Sequence, residues 1–198
     1  GGQSNIASAD GTTIGGGSFN VANGFFSMIL GGSGNSAAGA FSFAAGLKAK
    51  ANHSGAFVWA DQFDADFTST ANNQFNVRAS GGVRIFSNTL LTAGVTLAAG
   101  GGSWSSVSDR NMKENLAEVA GAALLEKINA MPMSTWNYKS QDARIRHMGP
   151  MAQDFRAAFG LGEDERHIDT IDADGVALAG VQALYRLAQQ QEAQLARQ

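Results

Sequence analysis

Cysteine is absent from this chain of 198 residues. Disulfide frameworks, thiolate zinc sites and cysteine nucleophiles are therefore excluded, and the absence points to no particular redox compartment. Proline is scarce, with only two residues. Neither sign of charge dominates: 14 Lys and Arg face 17 Asp and Glu, a net charge of -3. This opposes a general nucleic-acid binder, which concentrates basic residues on one surface. No apolar run approaches the ~18–20 residues that span a bilayer, so membrane insertion is not expected. The first residues, Gly-Gly-Gln-Ser, lack the basic and apolar regions of a signal peptide and read as the cut end of a longer protein.

What is present is unevenly distributed. Residues 1–107 hold 19 of the 25 glycines and only 8 charged residues. Residues 108–198 hold 6 glycines, both prolines and 23 charged residues. A shift this abrupt marks a domain boundary. The first half is too rich in Gly, Ser and Ala for an ordinary core. It is either a flexible segment or a repeat whose small residues are required by close packing.

Glycine spacing favours the repeat. Gly24 to Gly31, Gly39 to Gly46 and Gly46 to His53 are each seven residues apart. Coiled-coil heptads share that period, but glycine and the β-prone residues oppose helix. Short strands separated by turns with Gly or Asn at positive φ fit better. Stacked, such units make a β-roll or β-solenoid over 1–61. One such roll is thin, and its apolar side chains need cover that partner chains supply. The phased Phe19, Phe26, Phe41, Phe43 and Phe57 are not expected of a linker.

Residues 62–107 read as a β-rich neck. Gln74–Ala79 and Val83–Ile85 alternate around Gly81-Gly82, which predicts a hairpin. Thr89–Leu97 is another β-prone stretch. Gly100-Gly-Gly102 lacks the Lys-Ser/Thr and the strand-to-helix context of a phosphate loop.

Residues 108–198 read as α+β. Val119–Met131 is helical, with Leu124, Leu125 and Ile128 on one face and Pro132 as the stop. Ser134–Lys139 is strand-like and Arg144–Met148 is its candidate partner. Pro150 opens a helix over Met151–Phe159, which Gly160 ends. Ile168–Ile171 reads as a short strand and Asp172–Gly175 as a turn. The last helix then runs from Val176 to the end. Its Ala177, Val181, Leu184, Ala188, Gln191 and Leu195 form an a/d seam. That seam fits a parallel homo-oligomeric coil or a helix packed on its own domain.

Chemistry concentrates at Ser108-Asp-Arg-Asn-Met-Lys-Glu-Asn115. A serine five residues before a lysine can form a nucleophile–base dyad across a turn. The lysine serves as base only when neutral, through burial or nearby positive charge. The alternative is a helix start capped by Ser108 or Asp109 with a solvated Lys113. Elsewhere, Asp172-Ala-Asp-Gly175 lacks the later ligands of a calcium loop. His53 and His167 have no ligand-like neighbours. No metal or cofactor is expected.

The Ser108–Asn115 motif is followed by Trp136-Asn-Tyr-Lys139, His147-Met-Gly-Pro-Met-Ala-Gln-Asp154 and Asp172-Ala-Asp-Gly-Val-Ala-Leu178. Together they resemble the C-terminal intramolecular chaperone domain of phage tail fibres and endosialidase tailspikes, the S74 peptidase family. The first half resembles the head repeats of trimeric autotransporter adhesins, which are left-handed β-rolls in trimers.

The first resemblance implies a self-cleaving chaperone over 108–198 that trimerises and templates the β-structured fibre before it. It then cuts the Val107–Ser108 bond. By the same resemblance Ser108 is the nucleophile, Lys113 the base, and Asp109 orients the site. His147, Gly149 and Gln153 match a supporting motif, and His147 alone reads as a packing residue. The implied setting is a virion tail fibre, phage or prophage encoded, and extracellular after assembly. The expected partners are two further copies of the chain and a host receptor or glycan. The alternative is a trimeric adhesin tip or stalk with a permanent, uncleaved cap. Against a glycan groove, Trp59, Trp104 and Trp136 are scattered.

Overall fold

The computed structural model describes residues 1–198, which form two compact units, Gly1–Lys113 and Glu114–Gln198. The first is all-β. Its strands are β1 (Ile6–Ala7), β2 (Thr13–Ile14), β3 (Val21–Ala22), β4 (Met28–Ser33), β5 (Ser36–Ala37), β6 (Phe43–Leu47), β7 (Ala49–Ala51), β8 (Phe57–Ala60), β9 (Phe67–Thr68) and β10 (Phe75–Arg78). Then come β11 (Val83–Phe86), β12 (Gly94–Leu97) and β13 (Trp104–Ser106).

The first ten strands make a β-solenoid of two parallel sheets. One is ordered β1-β3-β5-β7-β9 and the other β10-β8-β6-β4-β2. Each coil places one strand in each sheet, so the seven-residue spacing is a half-turn. Paired residues lie one full turn apart, as in Ile6, Val21 and Ser36 and then Lys50.

The two sheets face each other across a narrow core. Ala22, Ala37 and Ala51 from one sheet and Ile29, Ala44 and Val58 from the other are fully buried. The alanines that look too small for a core are what lets the sheets approach. Backbone polar groups at one edge of the core are satisfied by an asparagine ladder. The Asn35 N–H donates to Asn20 Oδ1 at 3.0 Å, and the Ala49 N–H donates to Asn35 Oδ1 at 2.8 Å. Asn35 Nδ2 donates to the carbonyls of Gly31 and Gly46 at 3.1 and 2.9 Å. Gly17, Gly32 and Gly46 stack at one corner with φ of 89°, 101° and 98°. A Cβ on Gly46 would strike the Ala60 carbonyl oxygen.

The expected hairpin between Gln74–Ala79 and Val83–Ile85 does not form. β10 instead pairs in parallel with β8, Phe75 opposite Phe57 and Arg78 opposite Ala60. Parallel pairing continues a stack of rings, with Phe43 to Phe57 at 4.6 Å and Phe57 to Phe75 at 4.7 Å between centroids. Arg78 also fastens the loop before β9. It donates to Asp61 Oδ1 at 2.9 Å and to the carbonyls of Ala65 and Phe63 at 2.7 Å each. After β10 the chain enters an antiparallel sheet ordered β11-β12-β13.

The second unit is α+β. It contains α1 (Gly121–Ala130), β14 (Ser134–Trp136), β15 (His147–Gly149), α2 (Ala152–Phe159) and α3 (Thr170–Leu195). β14 and β15 pair antiparallel, with Trp136 opposite His147. Leu124, Phe155 and Val176 bring one residue from each helix into its core. Gly160 ends α2 with φ of 68°, the left-handed cap that its position predicts.

The strand at Ile168–Ile171 and the turn at Asp172–Gly175 are replaced by the first turns of α3, which Asp169 precedes as N-cap residue. Asp172 lies in the first turn, where a carboxylate suits the helix dipole. Packing then overrides the poor helix propensity of Gly175 and Gly180. Gly180 is buried, and a Cβ there would come within 2.9 Å of Ile128 Cδ1. The face of α3 that packs inward is therefore Val176, Gly180 and Ala183. The predicted seam lies elsewhere on the helix. Its Val181, Leu184 and Leu195 are 66%, 55% and 69% exposed. No helix is long and apolar enough to cross a membrane.

Candidate active site

Strand β13 delivers the chain to the junction motif. Leu97 pairs with Trp104, Thr96 with Ser105 and Val95 with Ser106. The Val107 N–H adds one more bond, to the Gly94 carbonyl at 3.1 Å. Ser108 then leaves the sheet.

Asp109 is extended, with φ -67° and ψ 135°, and caps a single 3-10 turn over Arg110–Met112. Its Oδ1 accepts from the Asn111 backbone N–H at 2.9 Å and from Asn111 Nδ2 at 3.1 Å. A short acidic side chain before a turn competes well for those orphan N–H groups. The Lys113 N–H closes the turn on the Arg110 carbonyl at 3.2 Å.

This turn folds Lys113 back over the motif. Lys113 Nζ donates to Ser108 Oγ at 2.7 Å. The two residues that spacing alone connects only weakly are thus in direct contact. Both are exposed in the single chain, while Val107 is half-buried. The carboxylate of Asp109 is turned toward Asn111 rather than toward the dyad. It holds the turn, and the turn holds Lys113. Asn111 is the residue that sequence reasoning missed here; its signal was its position two residues after the cap.

His147, Gly149 and Gln153 belong to the second unit. His147 Nε2 lies 3.0 Å from Gln141 Oε1. Its ring sits 4.8 Å from Trp136 and 5.6 Å from Tyr138, centroid to centroid. The cluster joins the Trp136-Asn-Tyr motif to the His147 motif across the β14–β15 pair. The Trp136 indole N–H is buried without a hydrogen-bond partner. Gly149 lies opposite Ser134 at the other end of the same pair. Gln153 is exposed in the first turn of α2. A groove of about 330 Å³ is lined mainly by apolar residues, among them Leu124, Phe159, Ile171 and Val176, with Lys127 and Asp172 also on its lining.

Residues 108–161 match the model of the Peptidase S74 family, described as chaperone of endosialidase. The match begins at Ser108 and takes in Lys113, β14, β15 and α2. No curated protein matches the chain.

Proposed function

Starting from an S74-type chaperone segment whose first residue is Ser108, we propose that this chain is a self-cleaving intramolecular chaperone of a phage or prophage tail fibre. It trimerises, templates the β-structure that precedes it, and then cuts the Val107–Ser108 bond. The observation that carries this reading is the 2.7 Å contact between Lys113 Nζ and Ser108 Oγ at the start of the matched segment.

The chemistry runs along that contact. Neutral Lys113 takes the Ser108 hydroxyl proton as Oγ attacks the Val107 carbonyl carbon. The hydroxyoxazolidine intermediate collapses by breaking the Val107 C–N bond, and the proton on Lys113 passes to the departing amine. An ester then joins the Val107 carbonyl to Ser108 Oγ. Water hydrolyses it, leaving a carboxylate on Val107 and a free amine and hydroxyl on Ser108. Lys113 must be neutral for the first step, which requires burial or a neighbouring cation. Both dyad residues are exposed in one chain, so cover from neighbouring copies is part of the proposal. Asp109 orients the site through its turn. His147, Gly149 and Gln153 support the fold of the second unit.

Trimerisation is supported by apolar surface that one chain leaves bare. The outer face of the β2–β10 sheet shows Met28, Leu30, Trp59 and Phe75 at 41%, 65%, 38% and 76% exposure. The α3 seam adds a second such surface. Interwound β-structure from three chains is slow to nucleate. A fused trimeriser raises the effective concentration of its strands, and cutting afterwards makes assembly one-way.

A second reading, an adhesin tip or stalk with a permanent cap, is favoured by the exposed Phe19, Phe26 and Phe41 at the solenoid corners. In that reading they meet a host receptor or glycan. The location of the cut decides between them. Intact mass and N-terminal analysis of freshly purified protein should give one fragment ending at Val107 and one beginning at Ser108. A chain that stays whole supports the permanent cap.

A further inference from the structure

We infer that the β11–β12–β13 sheet is the element that aims the scissile bond, with Gly94 as its positioning residue, so that cutting reports the folding of this sheet. The inference rests on the cleavage reading above and adds a condition to it that lies within one chain.

The two sides of the Val107–Ser108 bond are held by different structures. On the acyl side, pairing of β13 with β12 continues one residue past the strand, through Val107 N–H to Gly94 O at 3.1 Å. On the amine side, Ser108 enters the Asp109-capped turn and meets Lys113. The bond to be cut is the one between the last residue anchored to the sheet and the residue just before the cap of the turn. A hydroxyl that attacks its own preceding carbonyl needs that carbonyl presented on one face. Anchoring the Val107 N–H in the sheet fixes the Cα end of the residue and leaves one rotation, about Cα–C, to present the carbonyl. Orientation of this kind is worth about 100-fold for a displacement near 1 Å.

Gly94 is where the anchor is itself held. It lies opposite Phe86 in the β11–β12 pair. A Cβ there would strike the Ile85 carbonyl oxygen and come within 2.9 Å of Phe86 Cα. Only glycine lets β12 close on β11 at the end that carries Val107. The loop before it is organised toward the same end: Asn88 Oδ1 accepts from the N–H groups of Thr92 and Ala93 at 3.0 and 3.2 Å. An unfolded or slipped sheet leaves the dyad contact possible but the carbonyl unaimed.

The test uses the full chain and two independent perturbations. Gly94→Val forces β12 from β11 without touching the dyad. Ser105→Pro removes an N–H that faces β12, since N–H groups alternate along an antiparallel strand and Val107 uses one. Ser105→Ala keeps that N–H. Rates of fragment formation are read by denaturing gel, beside circular dichroism and oligomeric state. The expected result is about 100-fold slower cutting in Gly94→Val and Ser105→Pro, with Ser105→Ala at the parent rate and with the helical circular dichroism and oligomeric state of all variants unchanged. Parent-like cutting in Ser105→Pro or Gly94→Val overturns the inference while leaving the dyad reading intact. An uncut parent chain overturns both.

Discussion

Lys113 Nζ reaches Ser108 Oγ at 2.7 Å across a turn that Asp109 caps. The serine, the lysine and the bond proposed for cutting thus lie within one short segment between a sheet and the second unit. Proximity comes from the backbone turn, so it does not require long-range contacts. What the single chain does not provide is burial of the lysine. In the proposed mechanism that division makes the dyad ready early and active late, after neighbouring copies close over it.

In the proposed mechanism Asp109 acts through the turn. Asp109→Ala removes the acceptor for Asn111 N–H and Nδ2. Loss of such a cap costs about 1 kcal/mol, and cutting should slow by about fivefold. Asp109→Asn keeps an acceptor and should lose less. A time course of fragment formation on denaturing gels measures both. An Asp109→Ala chain that cuts at the parent rate removes the residue from the mechanism.

The asparagine ladder predicts a stability effect far from the site. Asn35→Ala deletes three hydrogen bonds and leaves the Ala49 N–H and two glycine carbonyls without their partner. Buried orphans of this kind cost about 3 kcal/mol together. Thermal denaturation should show a clear drop in the melting temperature of the first unit.

Acid should loosen the solenoid through Asp61. Hydrogen bonds from Ser80, through side chain and backbone, with those of Arg78 and the Phe63 N–H, hold its carboxyl far below the usual carboxylate range. A depressed folded value means stability that is complete well above about pH 4, where the unfolded carboxyl titrates, and lost progressively as pH falls below it. The parent chain should therefore melt lower at pH 3 than at pH 7. Asp61→Asn should melt lower than the parent at pH 7 and show a smaller difference between the two pH values. An unchanged pH difference in Asp61→Asn would contradict this assignment.

The α3 seam predicts a separation of assembly from folding. Val181 and Leu184 face away from α1 and are exposed. The Val181→Asp, Leu184→Asp double variant should keep its helical circular dichroism and lose trimer in light scattering. It should also stay uncut, because the lysine lacks cover. A trimeric double variant would place the association surface elsewhere.

Much of this fold is legible in the sequence because its repeat is short. Gly24, Gly31, Gly39 and Gly46 state the half-coil spacing directly. The length of the full coil is not legible, since two strands in different sheets share the same seven-residue signal. Gln74–Ala79 alternates as a hairpin strand does, and only the ring stack on Phe57 shows that it pairs in parallel. Asp172–Gly175 has turn composition, yet burial of Val176 and Gly180 against α1 carries the helix through it. The Ser108 to Lys113 contact is local, yet the five-residue spacing alone does not separate it from a capped helix start with a solvated lysine. The Trp136–His147 stack and the Val107–Gly94 bond are not, because each is made between strands whose register no local pattern states.

The most direct measurement is the intact mass of three freshly purified proteins over time: the parent, Ser108→Ala and Lys113→Ala. The account predicts that the parent resolves into fragments meeting at Val107 and Ser108, while both variants remain whole and keep the parent's oligomeric state. Equal fragmentation of all three, or a parent that never fragments, would contradict cleavage by this dyad.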